Sequence, residues 1–289
     1  MAKTTQIIAL LFCCLHIACA PEELRLGAER TAVYLPLLDG QKIGVVSNQS
    51  SLIVSTHLVD SLLSLAVEVV KVFSPEHGFR GTVDAGAKVA DGVDVQTELP
   101  IVSLYGNNKK PSPEQLEGID VLLFDIQDVG ARFYTYISTL HYVLEAAAEN
   151  GIKVMVLDRP NPNGHYVDGP ILDTAFQSFV GMHPIPIVHG MTIGEYAQMI
   201  NGEGWVSSPC ELVVIPMLHY NRMMLYDLPV KPSPNLPNAR AINLYPSLCL
   251  FEGTIVSAGR GTAHPFQQFG APCLKSDYRF IPESGAGSK

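Results

Sequence analysis

The run Val121-Leu122-Leu123-Phe124-Asp125 decides the fold class, and Lys153-Val154-Met155-Val156-Leu157-Asp158 repeats its pattern. Each run is almost continuously apolar and then stops at an aspartate. Strands that are buried on both faces of a parallel sheet have this pattern, whereas half-exposed strands alternate apolar and polar residues. Between the two runs, residues 136–150 have helical apolar spacing and are followed by Gly151, a typical helix end. The order strand, helix, strand predicts an α/β unit.

Similar apolar runs lie closer to the N-terminus, at residues 42–48, 67–73 and 101–105, with a helical pattern at residues 57–65. Strands that alternate with helices along the chain are typical of a sheet covered by helices on both faces. We therefore predict that residues 21–175 form a Rossmann-like, doubly wound, mainly parallel sheet.

The second half of the chain has a different pattern, rich in proline and glycine. Residues 192–201 predict a helix that begins with a capping box, because Thr192 is followed three residues later by Glu195. Strand-like runs occur at residues 211–216 and 248–256. We predict a second, smaller α+β subdomain over residues 176–289. Its last residues, 280–289, contain no closing element, which leads us to expect a C-terminal truncation.

Composition and the N-terminus limit the class of protein. The chain has 289 residues, 47% of them hydrophobic, and a formal net charge of -9. An acidic chain without a run of Lys or Arg is not expected to bind nucleic acid.

Residues 1–20 resemble a secretory signal peptide, with Lys3 before an apolar run and small residues at 18–20. Cleavage after Ala20 and lipidation at Cys19 are alternatives, so we expect an exported protein that is periplasmic or anchored to the membrane as a lipoprotein.

Polar residues follow the predicted strands, and the loops at the carboxyl ends of a doubly wound sheet converge on one crevice. We therefore expect these residues to form one site. An alternative for Asp128 and Asp158 is that each caps a helix. The members of this set are Asn48, Glu76, His77, Arg80, Asp125, Gln127, Asp128, Arg132, Asp158, Arg159 and Asn161.

Elimination narrows the chemistry of this site. The sequence contains no glycine-rich dinucleotide or phosphate motif after the first strand, no Gly-x-Ser-x-Gly elbow and no His-x-x-x-His pair. We therefore expect no cofactor and no metal. Paired carboxyl groups with arginine and amide support remain, and such pairs are the working groups of glycosidases. Glu76 is the first candidate, because Phe73 and Phe79 beside it fit the apolar pocket that raises the pKa of a carboxyl acid.

Arginines among the strand-end residues suggest that the substrate is an anion. A guanidinium group holds a carboxylate through two parallel hydrogen bonds. Arg80, Arg132 and Arg159 would lie at one edge of the sheet. Each of them could instead form an ion pair at the surface, but three arginines at one edge favour an anionic substrate.

Long ordered motifs resemble the exo-β-N-acetylmuramidase family (NamZ-like, glycoside hydrolase family 171), formerly a domain of unknown function. The resemblance extends from about residue 40 to about residue 275. The motifs are residues 74–81 (SPEHGFRG), 124–136 (FDIQDVGARFYTY), 157–162 (LDRPNP), 186–195 (PIVHGMTIGE), 232–235 (PSPN), 251–254 (FEGT) and 259–262 (GRGT).

The resemblance implies an enzyme that hydrolyses non-reducing terminal N-acetylmuramic acid from peptidoglycan fragments, in a cleft between a Rossmann-like and a smaller subdomain. Glu76 matches the position that we take as the catalytic glutamate. Asp125 or Asp128 would be its partner, with His77 as a modulator. The lactyl carboxylate of muramic acid would be the anion that the arginines bind. The motifs add further substrate-binding candidates: Tyr134, His189, Asn235, Glu252 and Arg260.

Family members usually continue beyond residues 270–272, which puts the activity of this chain in question. A non-catalytic muropeptide-binding surface lipoprotein and a glycan esterase or deacetylase remain alternative functions. The sequence does not distinguish a retaining from an inverting mechanism, because that outcome depends on the separation of two carboxyl groups in space.

Overall fold

The computed structural model describes residues 23–80 and 91–284; the signal-peptide prediction for residues 1–20 lies outside these ranges. A seven-stranded sheet forms the centre, in the order β5-β6-β4-β1-β7-β8-β9, and β2 and β3 form a separate antiparallel pair. The strands are β1 (Ile43–Ser47), β2 (Leu52–Ile53), β3 (Thr56–His57), β4 (Val69–Ser74), β5 (Gly92–Val93), β6 (Pro100–Ser103), β7 (Val121–Asp125), β8 (Lys153–Leu157) and β9 (Leu212–Ile215).

All neighbouring strands of the sheet are parallel except β5, which runs antiparallel to β6. The strand order reverses at β1, from which the chain moves first to β4 and β6 and then back to β7, β8 and β9. This is the arrangement of a doubly wound nucleotide-binding sheet, whose ligand crevice lies at the reversal point. The predicted α/β class and mainly parallel sheet are confirmed.

Helices cover both faces of the sheet. They are α1 (Thr31–Leu38), α2 (Leu58–Ser64), α3 (Pro113–Leu116), α4 (Tyr136–Asn150), α5 (Ile193–Gly202) and α6 (Ala239–Leu248), with short 3₁₀ helices at Gly27–Glu29, Thr174–Phe176 and Cys249–Gly253. One core lies between the sheet and α4, α5 and α6, and the other lies between the sheet and α1 and α2. In β7, Leu122 and Phe124 point into the first core, while Val121 and Leu123 point into the second. Burial of both faces explains the continuous apolar run.

Two helix ends follow from local sequence. Thr192 and Glu195 form the predicted capping box at the start of α5, where the Thr192 side chain accepts a hydrogen bond from the Glu195 N–H. Gly151 ends α4 with a left-handed φ of 64°. Both ends lie where the sequence predicts them.

The second half of the chain differs from the prediction in two places. The strand predicted at residues 211–216 exists as β9, but it pairs with β8 at the edge of the main sheet. The strand predicted at residues 248–256 is wrong, because these residues end α6 and form the 3₁₀ helix Cys249–Gly253. The boundary at residue 175 stays a prediction. Within the described ranges, no helix combines the length and the apolar character needed to cross a bilayer.

Candidate active site

A cavity of about 340 Å³ opens beyond the carboxyl end of β4 and the N-terminus of α4, and we call it the inner cavity. Segments far apart in the sequence meet there. Its lining residues are Glu76, His77, Tyr105, Phe133, Tyr134, Thr135, Tyr136, Phe179, Val180, Ser233, Asn235, Leu236, Tyr245, Glu252, Arg260 and Phe266.

A tight turn after β4 places Glu76 in this cavity. The Gly78 N–H donates to the Pro75 carbonyl at 3.2 Å, which closes the turn. His77 has a left-handed φ of 75° and Gly78 a φ of 77°. A left-handed φ is uncommon for a residue with a side chain, and strained conformations of this kind concentrate at functional sites. The turn therefore fixes the position of Glu76 through the backbone.

Two hydroxyl groups hydrogen-bond to the Glu76 carboxyl. The Tyr105 hydroxyl donates to Oε1 at 2.8 Å, and the Thr135 hydroxyl donates to Oε2 at 3.4 Å. Burial, together with the hydrogen bond to Glu76, raises the pKa of Tyr105 to about 12. Tyr105 therefore keeps its proton at neutral pH and remains a hydrogen-bond donor to Glu76.

Glu252 brings a second carboxyl to the inner cavity. Its Oε1 accepts from Nη1 of Arg260 at 2.7 Å, and the two side chains are 35% and 32% exposed. Burial raises the pKa of the Glu252 carboxyl, the guanidinium of Arg260 opposes this shift, and the charge of Glu76 adds to it. The charge of Glu76 therefore reaches the Glu252 carboxyl across the cavity.

Aromatic rings form much of the cavity wall. Tyr134 makes edge-to-face contacts with Tyr136 at 4.8 Å and with Tyr245 at 5.9 Å between ring centroids. Tyr245 in turn contacts Phe266 at 5.0 Å. Burial raises the pKa values of all three tyrosines above the ordinary value, so the hydroxyls stay neutral. A wall of aromatic rings with a few polar groups is typical of a small-molecule site.

The crevice at the strand reversal point is filled by side chains of the protein itself. Asp125 is completely buried and pairs with Arg159, whose Nη2 lies 2.8 Å from Oδ2 of Asp125. Arg159 also donates to the Leu52 carbonyl at 3.0 Å. Asn48 accepts from the Ser50 hydroxyl at 2.6 Å. Asp125, Arg159 and Asn48 do not line the inner cavity.

Two further strand-end residues serve the polypeptide backbone in the same way. The Gln127 amide donates to the carbonyls of Asp128 and Pro160 at 2.8 and 2.6 Å. The Asn161 amide donates to the Met191 carbonyl at 2.9 Å. Neither side chain lines the inner cavity, so the interaction of each connects loops of the protein.

Arg80 and Arg132, two of the arginines expected at the substrate, also lie outside the inner cavity. Arg80 donates to Asp60 at 3.1 Å and to Asp94 at 2.8 Å, so its charge is balanced by two carboxylates. Arg132 is buried and donates to the backbone carbonyls of Pro170 and Ile185. Both arginines hold loops in place. Arg260 is the arginine that lines the cavity.

Asp128 and Asp158 cap local structure. Asp128 Oδ2 accepts from the Gly130 N–H at 2.7 Å and lies 3.4 Å from Nε2 of His189. Asp158 accepts from the Gly194 N–H at 2.8 Å and from the Thr192 hydroxyl at 3.0 Å, at the start of α5. Burial raises the pKa of Asp158 to about 6. Asp158 thus accepts hydrogen bonds at the start of a helix, whereas Asp128 accepts within a local turn and caps no helix.

The amino-acid sequence matches the N-terminal and the C-terminal models of one protein family. The model for exo-beta-N-acetylmuramidase NamZ, N-terminal, matches residues 43–240, and the C-terminal model matches residues 243–284. The chain belongs to the NamZ family. The family resemblance that the motifs indicated is thereby confirmed.

Members of the NamZ family and related structures are similar over most of this chain. Over 252 residues it is 48% identical to the peptidoglycan beta-N-acetylmuramidase NamZ of Bacillus subtilis (strain 168). That match covers 84% of this chain and 60% of the relative, so the chain spans less than two thirds of the relative's length.

Two crystal structures of DUF1343 family proteins from Bacteroides fragilis NCTC 9343 have the same fold. One has a TM-score of 0.85 at 49% identity and covers 93% of this chain and 73% of that protein. The other has a TM-score of 0.80 at 36% identity and covers 87% and 66%.

The inner cavity of this NamZ family member contains some, but not all, of the residues expected from sequence. Those in the cavity are Glu76, His77, Tyr134, Asn235, Glu252 and Arg260. Those outside it are Asn48, Arg80, Asp125, Gln127, Asp128, Arg132, Asp158, Arg159, Asn161 and His189. Asp125 and Asp128, expected as partners of Glu76, do not line this cavity, whereas the carboxyl of Glu252 does.

Several cavity residues were not expected from the sequence. Phe133, Thr135 and Tyr136 lie within the family motif at residues 124–136, so the motif itself was a signal. Tyr105 and Tyr245 lie outside the recognised motifs, and only the folded chain brings them to Glu76. In the described parts of the chain, no cluster of three His, Cys, Asp or Glu side chains is arranged to hold a metal ion.

Proposed function

We propose that this protein is an exo-acting glycosidase that releases non-reducing terminal β-linked N-acetylmuramic acid from peptidoglycan fragments. Membership of the NamZ family and the relative's name support the substrate class. The observation that carries the proposal is the pair of carboxyl groups, Glu76 and Glu252, in one aromatic cavity. Most glycosidases use such a pair, one carboxyl to protonate the leaving oxygen and one to act as base or nucleophile.

Glu76 is suited to the role of acid and base. Tyr105 and Thr135 hydrogen-bond to its carboxyl through hydroxyl groups, which either donate to a carboxylate or accept from a carboxylic acid. Glu76 can therefore take up and release a proton while keeping these hydrogen bonds. In this proposal it protonates the glycosidic oxygen as the bond to the leaving sugar breaks. Where Glu252 is the nucleophile, Glu76 then accepts a proton from the water that hydrolyses the glycosyl–Glu252 ester; where Glu252 is the base, Glu252 accepts that proton.

Glu252 is suited to the role of the partner carboxylate. It lies in the same cavity as Glu76, and its ion pair with Arg260 opposes the increase in its pKa that burial causes. Arg260 has a second role in the proposal. Its partly exposed guanidinium is placed to bind the lactyl carboxylate of muramic acid, which distinguishes this sugar from neutral hexosamines.

Replacement of Glu76 by glutamine tests the proposal. Glu76→Gln retains the size and the hydrogen bonds of the side chain but cannot transfer the proton. We expect release of muramic acid from a chromogenic β-muramide to fall by about 10²–10⁴-fold, the usual contribution of a general acid or base. Glu117→Gln changes an exposed glutamate outside the inner cavity and is the matched control. Thermal unfolding of both variants monitors the fold.

Other outcomes would replace the proposal. Full activity of Glu76→Gln would remove Glu76 from the reaction. Binding of muropeptides without release of sugar by the wild-type chain would identify a binding protein. Acetate release without glycosidic cleavage would identify a deacetylase.

We also propose that the protein is exported, because residues 1–20 have the features of a secretory signal. Attachment to the membrane through a lipid on Cys19 is the finer form of this proposal. Mass spectrometry of the mature N-terminus tests both forms. An unprocessed Met1 in the producing cell would contradict export, and cleavage after Ala20 would contradict the lipid anchor.

A further inference from the structure

Residues 178–181 form a turn, which we call the wall turn, and its central residues Phe179 and Val180 line the inner cavity. Ser178 and Gly181 exchange two backbone hydrogen bonds of 3.0 Å, which close the turn. Val180 is 49% exposed, so its side chain is open to a ligand. The fully described stretch between β8 and α5 contains one 3₁₀ helix and no other helix or strand. The wall turn therefore depends on contacts with its neighbours for its position.

Helix α4 holds the wall turn from one side. The Ser138 hydroxyl donates to the Phe179 carbonyl at 2.6 Å. One helical turn later, the Tyr142 ring lies nearly parallel to the Phe179 ring, with 6.2 Å between the ring centroids. Thr135, the N-cap residue of the same helix, hydrogen-bonds to the Glu76 carboxyl. One helix thus positions both the wall turn and a hydrogen-bonding partner of Glu76.

Two residues after the wall turn, His183 is buried among other rings and is 2% exposed. Its Nε2 is hydrogen-bonded to Nδ1 of His141 at 3.0 Å, and its Nδ1 is hydrogen-bonded to the Tyr196 hydroxyl at 2.8 Å. The ring stacks on Trp205, with 4.4 Å between the ring centroids. His141 belongs to α4 and Tyr196 to α5. His183 therefore fastens the end of the wall turn to both helices.

The two hydrogen-bonded imidazoles are neutral at pH 7. A hydrogen bond between two imidazole nitrogens needs one nitrogen that carries a proton and one that does not. Burial lowers the pKa of His141, and burial together with the neighbouring His141 lowers the pKa of His183 to about 3. A proton taken up by either ring would place a positive charge in a buried site, which is unfavourable.

Charged and titratable groups surround the histidine pair on several elements, and their effects oppose one another. Glu145 raises the pKa of His141, whereas Lys110, which forms an ion pair with Glu145 at 2.9 Å, lowers it. Tyr196 keeps its proton, because burial raises its pKa. Burial therefore remains the largest influence on both histidines. The groups that face the pair or Tyr196 are Lys110, Asp128, Arg132, Tyr142, Glu145 and His189.

We infer that His183 is a positioning residue for substrate binding: the neutral pair of His141 and His183 holds the wall turn at the inner cavity, and acid releases it. This inference rests on the proposed function, because it takes Phe179 and Val180 as part of the wall that contacts the sugar. An imidazole in water has a pKa of about 6.5, so a form with the wall turn released binds protons that the closed form excludes. The closed form therefore loses stability as the pH falls below ~6.5 and regains it as the pH rises.

Hydrogen exchange followed by mass spectrometry tests the release of the wall turn without any substrate. The protection of the Ser178 and Gly181 amides, corrected for intrinsic exchange, should fall by about 25-fold or more from pH 7 to pH 5. This is the effect of one histidine whose pKa is about 3 in the closed form and about 6.5 in the released form. In His183→Phe, which retains a ring on Trp205 but takes up no proton, the fall should be smaller by about that factor. His165→Phe changes an exposed histidine outside the inner cavity and is the matched control.

A second pair of amides separates local release from general unfolding. Ser257 and Gly270 exchange two backbone hydrogen bonds, at 2.8 and 3.0 Å, and their protection should change by less than about threefold over the same pH range. An equal fall at both pairs of amides would overturn the inference. Equal falls in wild type and His183→Phe, or no fall in wild type, would overturn it as well.

Kinetics with the chromogenic β-muramide test the positioning role at pH 7. His183→Ala removes the ring and its contacts and should raise KM by about 3–10-fold, the value of one aromatic contact, while kcat stays within about twofold. His183→Phe should recover part of the loss, and thermal unfolding monitors the fold of both variants. An unchanged KM in folded His183→Ala would contradict the positioning role. Absence of hydrolysis by the wild type would instead overturn the glycosidase proposal, and the exchange measurement would still test the release.

Discussion

Two regions of the molecule each contain an ion pair between a carboxylate and an arginine, but the surroundings of the two pairs differ. At the centre of the sheet, the Asp125 and Arg159 side chains are 0% and 2% exposed, and Arg159 also donates to the Leu52 carbonyl. At the inner cavity, the Glu252 and Arg260 side chains are 35% and 32% exposed. The first pair is enclosed by protein, whereas the second can reach a ligand.

This difference separates structural from functional roles. A buried ion pair is not available to a substrate, and removal of one partner leaves an uncompensated charge in a low-dielectric interior. A partly exposed pair contributes little to stability, because water screens its charges. We therefore expect changes at Asp125 to affect folding and changes at Glu252 or Arg260 to affect chemistry.

The largest effect is expected from Asp125→Ala, which leaves the Arg159 guanidinium buried without its partner. The free energy of unfolding should fall by about 3–5 kcal/mol, as is typical when a buried pair is broken. Glu252→Ala is the matched change in the exposed pair and should lower it by less than about 1 kcal/mol. Denaturant unfolding followed by circular dichroism measures both values. Similar losses in the two variants would remove the distinction between the pairs.

A smaller effect, visible through its pH dependence, is expected from Asp158→Asn in the buried region. Burial raises the pKa of Asp158 to about 6 in the folded protein. The folded state therefore binds more protons than the unfolded state between pH ~4 and ~6, and the stability that Asp158 contributes at low pH is lost as the pH rises through ~6. The difference in unfolding free energy, wild type minus variant, should fall by about 3 kcal/mol over that window, since one pKa unit corresponds to about 1.4 kcal/mol.

Denaturant unfolding of both proteins at a series of pH values between ~4 and ~7 provides the measurement. Asparagine keeps an acceptor for the Gly194 N–H, so the start of α5 is maintained in the variant. Parallel pH profiles of wild type and Asp158→Asn would show that the carboxyl has an ordinary pKa.

The smallest of these effects is expected at the exposed pair, from Arg260→Ala. A hydrogen bond to a charged group contributes about 1.5–3 kcal/mol, so kcat/KM for a muramide should fall by about 10–100-fold. The acidic limb of the pH–rate profile should also move to higher pH, because Arg260 opposes the increase in the Glu252 pKa that burial causes. The control is Arg240→Ala, which changes an exposed arginine outside the inner cavity. An unchanged preference for muramides over glucosaminides would remove Arg260 from substrate recognition.

The sequence predicted the sheet well, because a strand that is buried on both faces has a continuous run of apolar residues. The apolar run at residues 121–125 became β7, and the boundaries of α4 followed from helical spacing and Gly151. The strand predicted from the apolar stretch beginning at Leu248 was wrong, because a short apolar run does not distinguish a buried strand from the end of a helix. The strand at residues 212–215 was found, but its partner in the sheet was not, because pairing over a long sequence distance leaves no local pattern.

The site was less predictable, because the direction of a side chain is not encoded in its place after a strand. Asp125, Arg159 and Glu76 all follow or end central strands, yet only Glu76 points into the inner cavity. Asp125 and Arg159 instead form an ion pair with each other at the end of the sheet. Family motifs supplied Glu252 and Arg260, whereas Tyr105, a hydrogen-bond donor to Glu76, ends a predicted strand that lies outside those motifs.

The filled crevice at the strand reversal point has a consequence for the thermodynamics of the fold. In a nucleotide-binding relative of this architecture, a diffusible ligand occupies the corresponding crevice and stabilises the protein according to its free concentration. Here Asp125 and Arg159 occupy it and are covalently part of the chain. The contribution of this crevice to stability therefore does not depend on the supply of any metabolite, and dilution does not weaken it.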